Sequence, residues 1–300
     1  MELESSPVVG IALATASAAV LAGGSFLHRQ GVRALHERRV SGGAPKRLDA
    51  ARSYPWTVGA LLFVVAILLQ MASLTFAPLV VVQPIGILSL VFTVLLTDLV
   101  GGRRPSPATV RGIVTCVLGV VAFVAVAAAV SVQHPITDGQ LVGVLVAFAG
   151  VLAVAALAGW SRDAPVPPIA WVVLGGVVSA FVATFGKAII LRVQTARPMH
   201  AFALDLTNVL TIGCIVGIGV AAVLSISLAQ RAHAIGRQHA VVAGLAVVDA
   251  TAAVVLGGAL LGEASDAPGW SVAVCLAAGG LAVSGVREIA RARHAPVPVP

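Results

Sequence analysis

Charged residues are scarce in this chain: they make up 10% of its 300 residues, against about 25% in soluble domains. Aromatic residues are also rare, at 5%, whereas hydrophobic residues reach 59%. A water-facing surface cannot be built from this composition, so an ordinary soluble fold is excluded. Lipid is expected to be the main solvent of the folded chain.

Catalytic and nucleotide-binding motifs are missing too. The sequence contains no H-E-x-x-H, G-x-S-x-G, P-loop or dinucleotide fingerprint, so we expect neither an enzyme nor an ATP-driven pump, and no cofactor. The few cysteines, Cys116, Cys214 and Cys275, fall inside apolar runs and are expected to be small buried hydrophobes. The histidines fall in loops or near the ends of those runs, without metal-ligand spacing, and are expected to be solvated.

Long apolar runs dominate what remains. They are on the order of 20 residues each and do not alternate, which favours helices over a β-barrel. The sequence therefore predicts an all-α, polytopic membrane helix bundle in the lipid bilayer. About nine spans are predicted, at residues 8–28, 55–77, 78–100, 107–130, 138–160, 168–192, 201–229, 238–261 and 268–287.

Lysine and arginine are distributed unevenly between the two faces. The net charge of +7 lies in loops between spans, so membrane topology explains it better than nucleic-acid binding does. The side poor in basic residues keeps Lys187, Arg192 and Arg197. By the positive-inside rule the rich side is cytoplasmic, which places the N-terminus outside and the C-terminus inside. A multi-pass protein of the plasma membrane is the simplest location.

Two stretches resemble each other about 160 residues apart, Gln70–Arg104 and Gln230–Glu263. Each has a polar corner, an apolar run and a polar residue inside the run. Overlaying spans one to four on six to nine gives two halves of opposite orientation, as in carriers built from an inverted repeat. The expected units are residues 1–130, a connecting span within 131–166, residues 167–293 and a Pro-rich tail, 294–300. A homodimer is compatible with this layout.

Polar residues inside the spans are the candidates for substrate binding and translocation. Asp249 lies about 16 Å into the eighth span and is the first candidate for a substrate or metal ligand, because a carboxylate at that depth normally faces a cavity or a partner. Gln83 beside Pro84 is its counterpart in the first half, since the proline frees a carbonyl and should kink the helix. Gln70 and Asn208 are weaker candidates. For all of these the alternative is helix packing.

Lys187 and Asp205 lie at similar depths in the sixth and seventh predicted spans. They are candidates for an ion pair that gates the outer side. The alternative for Lys187 is a side chain that snorkels to the interface.

Three segments resemble the drug/metabolite transporter superfamily, including EamA-like proteins, and within it the NIPA-type magnesium transporters. They are GGSFLHRQGVRAL, FAPLVVVQPIGILSLVF and VVDATAAVVLGGALLGE. The family pattern puts an acidic residue after both repeat-closing helices; this chain has Glu263 in the second half and Gly102-Arg103 in the first. The resemblance implies a secondary carrier of Mg²⁺ or another divalent cation.

Two other functions remain open. The apolar walls also suit export or import of a small organic metabolite or drug, and a non-transporting membrane scaffold or accessory subunit is the alternative from another class. Mg²⁺ keeps several waters and binds through one or two carboxylates, and Asp249 is the one carboxylate near the midplane.

Overall fold

A computed structural model describes residues 6–40, 54–102, 104–160, 167–195, 206–235 and 238–293. It describes no side chains at 32–40, 54, 158–160, 168, 206–208, 235 and 238–239. Over the described part, the helices are α1 Pro7–Val40, α2 Tyr54–Phe76, α3 Leu79–Gly86, α4 Leu88–Val100, α5 Pro107–Val130, α6 Asp138–Trp160, α7 Pro168–Thr195, α8 Leu206–Ile235, α9 Gln238–Ala259 and α10 Gly269–Ala292. Within those residues, 9 helical stretches are long and apolar enough to cross a membrane, with α3 and α4 together forming the third. The all-α membrane bundle is therefore confirmed.

Several helices extend beyond the ends of the predicted spans. The first span was predicted to end at residue 28, but α1 continues to Val40; α8 continues to Ile235, beyond the predicted 229, and α10 to Ala292, beyond the predicted 287. Apolar residues mark where a chain lies in lipid, whereas Ala, Leu, Arg and Glu carry a helix onward into water. Hydropathy therefore misplaces a helix end that projects beyond the bilayer.

The hydrogen-bond ladder of the third span is interrupted at Ile87, between α3 and α4, while the backbone there stays helical with φ of −60° and ψ of −30°. We call this interruption the break. Pro84 has no N–H to donate within the helix, and the N–H of Ile87 bonds to the carbonyl of Pro84, three residues back, at 3.2 Å. The hydroxyl of Ser89 donates to the carbonyl of Gly86 at 2.7 Å, which satisfies one carbonyl at the break. The predicted loosening of this helix by Pro84 is confirmed.

Helix packing follows the proposed pairing of the two halves. In the first half α1 packs on α2, and in the second half α7 packs on α8 in the equivalent way. Helix α1 also packs on α3 and α4, as α7 packs on α9. Helices α5 and α10, the last of each half, pack on each other. The third and eighth spans also end alike, in glycines of positive φ, Gly102 at 61° and Gly262 at 72°. This pattern supports the inverted repeat, and the boundaries proposed for its halves stay predictions.

Glycine allows the closest of these contacts, between α5 and α10. A Cβ on Gly285 would lie 2.3 Å from the backbone nitrogen of Cys116, and one on Gly119 would lie 2.4 Å from that of Ala282. Backbones approach this closely only where side chains are absent, which is how helices associate in lipid. Cys116 and Cys214 are buried as expected, and Cys275 is half-buried.

Candidate functional site

The corner between α2 and α3 leaves backbone groups without helical partners. Helix α2 ends at Phe76 and α3 begins at Leu79, and Pro78 before α3 gives it no side-chain cap. The last carbonyls of one helix and the first N–H groups of the next therefore need partners from elsewhere. We call this end of the bundle the corner end, and the opposite end, where α1, α4, α8 and α10 terminate, the basic end.

Lys187 of α7 satisfies the carbonyl side of the corner. Its ammonium donates to the carbonyls of Leu74 at 2.6 Å and Ala77 at 2.9 Å, and to Oε1 of Gln133 at 2.8 Å. An ammonium has three N–H donors, and these bonds use all three. The side chain is 0% exposed, so Lys187 does not snorkel to solvent.

Glu263 satisfies the N–H side of the same corner. Its Oε1 accepts from the N–H of Leu79 at 2.8 Å and its Oε2 from that of Val80 at 2.9 Å. Gly262, with φ of 72°, turns the chain so that the N–H of Glu263 bonds back to the carbonyl of Gly257 at 3.2 Å. Burial raises the pKa of the Glu263 carboxyl, while the charge of Lys187 and the two N–H donors lower it.

Lys187 and Glu263, with the backbone they hold between Leu74 and Val80, form what we call the corner clasp. A cation lies at the negative end of α2 and an anion at the positive end of α3, the placement that helix dipoles favour. Both charges come from the second half and hold a corner of the first. The carbonyl of Glu263 also accepts from the N–H of Val132. The clasp therefore ties α7 and the segment after α9 to the corner between α2 and α3.

The basic end contains a cavity of about 980 Å³ between α1, α4, α9 and α10. On the corner side of the break, α3 packs against α9. On the basic side, α4 and α9 both line the cavity, for example through Leu90 and Val242. Gln30, Val100 and Gly101 at its mouth are exposed. The third span therefore contacts α9 on the corner side of Ile87. On the basic side of Ile87 it borders the cavity.

Hydroxyl groups and one ion pair give the cavity its polar chemistry. Thr93 and Thr97 donate to backbone carbonyls of their own helix, at 2.7 and 2.6 Å, which leaves their oxygens as acceptors. Arg293, after the end of α10, donates to Oδ1 of Asp98 at 2.8 Å and to the carbonyl of Val94 at 3.1 Å. These two charged side chains are 22% and 16% exposed. The pair joins the two halves at the wall of the cavity.

The α1 wall of the cavity contains a histidine whose environment differs from the one predicted. His28, expected to be solvated, is half-buried on α1, where its ring lies 6.0 Å from the rings of Trp56 and Phe63. It also lines the cavity. The apolar run that marks the first span ends near His28, so the sequence placed this residue in a loop. Because α1 continues to Val40, His28 instead lies within a helix and packs beside α2.

Asp249 and the Gln83-Pro84 pair lie on neighbouring helices, α9 and α3. A Cβ on Gly257 would lie 3.2 Å from Cβ of Leu79, so these two positions are level. The helices run in opposite directions, and about 12 Å further along each, at 1.5 Å per residue, Asp249 comes level with the break at Ile87. Asp249 is half-buried with Ser179 as its side-chain partner.

Gln83 is 6% exposed. Pro84 beside it is buried in α3. These two candidates therefore lie above the break and Asp249 lies level with it. None of the three is among the residues that line the cavity.

The other predicted site residues are more scattered. Gln70 is half-buried on α2. Asn208 belongs to α8, but its side chain lies outside the described residues, and so does Asp205 entirely. The pairing of Lys187 with Asp205 stays a prediction. Across the described chain, no group of three metal-ligating side chains is present.

Sequence reasoning missed the partners that the fold supplies. Glu263 was visible as the acid after a repeat-closing helix, and Lys187 as a cation inside the sixth predicted span, but nothing local linked either to the Ala77-Pro78 corner. Asp98 and Arg293 lie 195 residues apart and are also far apart in the predicted order of spans. Only the need for a partner at the corner could have been predicted. Pro78 opens a helix without a polar cap, so the first N–H groups of that helix need a distant acceptor.

No protein-family model matches the chain, and comparisons with curated proteins and with solved structures give no match either.

Proposed function

We propose that this protein is a membrane carrier that works by alternating access, and that the described conformation is closed at the corner end and open at the basic end. One observation carries the proposal. On the corner side of Ile87 the corner clasp holds the third span against α9, and on the basic side the same span lines a large cavity. Transporter sites are commonly built where helices are interrupted near the midplane. The break at Ile87, where the N–H bonds three rather than four residues back, lies level with Asp249.

The cavity favours a small organic solute as the cargo. Two arginines, Arg29 and Arg293, and one aspartate, Asp98, line it together with many apolar side chains. Apolar walls with a few polar groups suit an organic molecule, and Asp98, the carboxylate in the described lining, is already paired with Arg293. Membership of the drug/metabolite transporter superfamily agrees with this reading and belongs to the proposal.

Mg²⁺ or another divalent cation is the second candidate. Asp249 favours it, because this carboxylate lies inside a membrane span at the level of the helix break, where a partly hydrated cation can be held by one or two carboxylates. The third possibility is a scaffold that does not transport. The following experiment distinguishes it from a carrier of either cargo.

Cysteine accessibility tests the proposal without knowledge of the substrate. In a background free of the native cysteines, Thr97→Cys reports on the cavity and Val80→Cys on the corner, where Val80 is 7% exposed. In lipid nanodiscs we expect a hydrophilic maleimide to label Thr97→Cys readily and Val80→Cys poorly. Adding Lys187→Met removes one half of the clasp, and labelling at Val80→Cys should then rise while labelling at Thr97→Cys falls.

A carrier is distinguished from a scaffold by labelling that changes in opposite directions at Val80→Cys and Thr97→Cys. A scaffold with a loosened corner gives more labelling at Val80→Cys and unchanged labelling at Thr97→Cys, and that result would overturn the proposal. Arg111→Gln is the matched control, because it removes an exposed arginine, 72% accessible and paired with Glu288, far from the clasp.

A further inference from the structure

The Asp98–Arg293 pair lies in the wall of the cavity, and we infer that the cavity binds a zwitterion: a small organic solute that carries an ammonium and a carboxylate on an apolar body. The ammonium replaces Arg293 as the partner of Asp98, and the carboxylate replaces Asp98 as the partner of Arg293. This inference rests on the proposed function and names the class of solute that the carrier takes.

The ion pair has the position that such an exchange needs. Both side chains line the cavity, they come from different halves, and Nη2 of Arg293 lies 2.8 Å from Oδ1 of Asp98. Each is more than three-quarters shielded from solvent. A ligand that inserts between them therefore connects α4 to α10 and links its own binding to the relative position of the halves.

Charge conservation selects the ligand class. Leaving one partner of a shielded ion pair without its counter-charge is strongly unfavourable. A cation would take Asp98 and leave Arg293 unpaired, an anion would do the reverse, and an uncharged solute would leave the pair closed. Only a ligand with both charges gives each residue a new partner.

The surroundings supply contacts for the rest of the solute. Leu90, Val94, Val286 and Ile289 line the cavity beside the pair and provide apolar walls for a side chain. The oxygens of Thr93 and Thr97 are acceptors, because their protons are donated to carbonyls of α4. They suit the remaining N–H donors of an ammonium group.

Binding measurements with matched analogues test the inference on the purified full-length protein in nanodiscs. Leucine and phenylalanine are the zwitterions, their amides are the cations and their N-acetyl derivatives are the anions, so that the apolar body stays constant within each series. We expect at least one zwitterion to bind about tenfold or more tightly than both of its analogues, because each analogue leaves one shielded charge unpaired. Equal affinities within both series, or binding of Mg²⁺ alone, would overturn the inference.

Variants locate the binding. Asp98→Asn and Arg293→Gln should each lower zwitterion affinity about tenfold or more and reduce the preference over the matching analogue. Arg111→Gln and Glu288→Gln are the controls, since this exposed pair lies outside the cavity, and they should bind like the wild type. Unchanged affinity in both cavity variants would overturn the assignment.

Two further precautions keep the outcomes separate. If the cavity variants fold poorly, the analogue series on the wild-type protein still decides the ligand class. Failure of the proposed function is also distinguishable: opposite changes in cysteine labelling without zwitterion selectivity leave the carrier standing and remove this inference, whereas selectivity without those changes leaves a binding protein that does not alternate.

Discussion

Replacing Lys187 by methionine removes the cation of the corner clasp while keeping the length and apolar stem of the side chain. Three acceptors then lose their donor, namely the carbonyls of Leu74 and Ala77 and Oε1 of Gln133. Leaving a buried polar group unsatisfied costs about 1–3 kcal/mol each, and a buried charge deprived of its neighbour costs about 3–5 kcal/mol. With partial relaxation, a loss on the order of 5 kcal/mol is expected.

Thermal unfolding in nanodiscs measures this loss. At roughly 2 °C for each kcal/mol in a protein of this size, Lys187→Met should lower Tm by about 10 °C. The control Arg111→Gln should lower it by no more than about 2 °C, because exposed ion pairs contribute about 0–1 kcal/mol.

A second variant tests whether the two charges of the clasp act together. Glu263→Gln alone leaves Lys187 without the nearest buried anion, so it should also destabilise. The double variant Lys187→Met, Glu263→Gln should be less destabilised than the sum of the single variants, by about 0.5–3 kcal/mol. A Tm of Lys187→Met within about 2–3 °C of the wild type, or strict additivity in the double variant, would refute the reasoning.

Three further changes test the rest of the fold and site. Gly285→Ala should destabilise the protein strongly, because its Cβ would lie 2.3 Å from the backbone nitrogen of Cys116, whereas Gly150→Ala, with nothing within 4 Å, should leave Tm unchanged. Pro84→Ala should restore a backbone bond near the break and slow the exchange between the two labelling patterns more than it changes Tm; an unchanged exchange rate would assign Pro84 to packing. Asp249→Asn should abolish transport at near wild-type expression, measured first as Mg²⁺ entry into liposomes with an internal dye and then as zwitterion entry. Flux equal to that of the wild type would remove Asp249 from the pathway.

Much of the architecture could be predicted from the sequence, because it depends on hydrophobicity and proline chemistry. Apolar runs longer than a membrane is thick gave the spans, and Pro84 inside one of them gave the broken helix. The end of α1 could not be placed this way, since helix propensity continues into water after hydropathy has stopped. The predicted depth of Asp249 in its span stays a prediction; its level relative to Ile87 needed the packing of α9 on α3, which only the structure shows.

Partners across the bundle could not be predicted, because they depend on how helices meet. Lys187 was expected to face another charged side chain, yet the described partners are two carbonyls and an amide oxygen. The sequence shows side-chain charges directly, but backbone groups become partners only where a helix ends. A buried lysine is therefore as well explained by a distant helix corner as by a nearby aspartate.

The arrangement of the clasp and the break separates two properties of the proposed carrier. The clasp holds α3, and the break at Ile87 lies between α3 and α4, so α4 can move at the basic end while the clasp stays intact. Opening the corner end requires that the clasp be lost. Its strength therefore sets the population of the corner-open state, at about tenfold for each 1.4 kcal/mol, whereas the stiffness of the break affects the rate of movement at the basic end. Clasp variants should change how much of each cysteine is labelled at equilibrium, and Pro84→Ala should change how fast that equilibrium is reached. A clasp variant that alters only the rate would show that the two regions are not separable in this way.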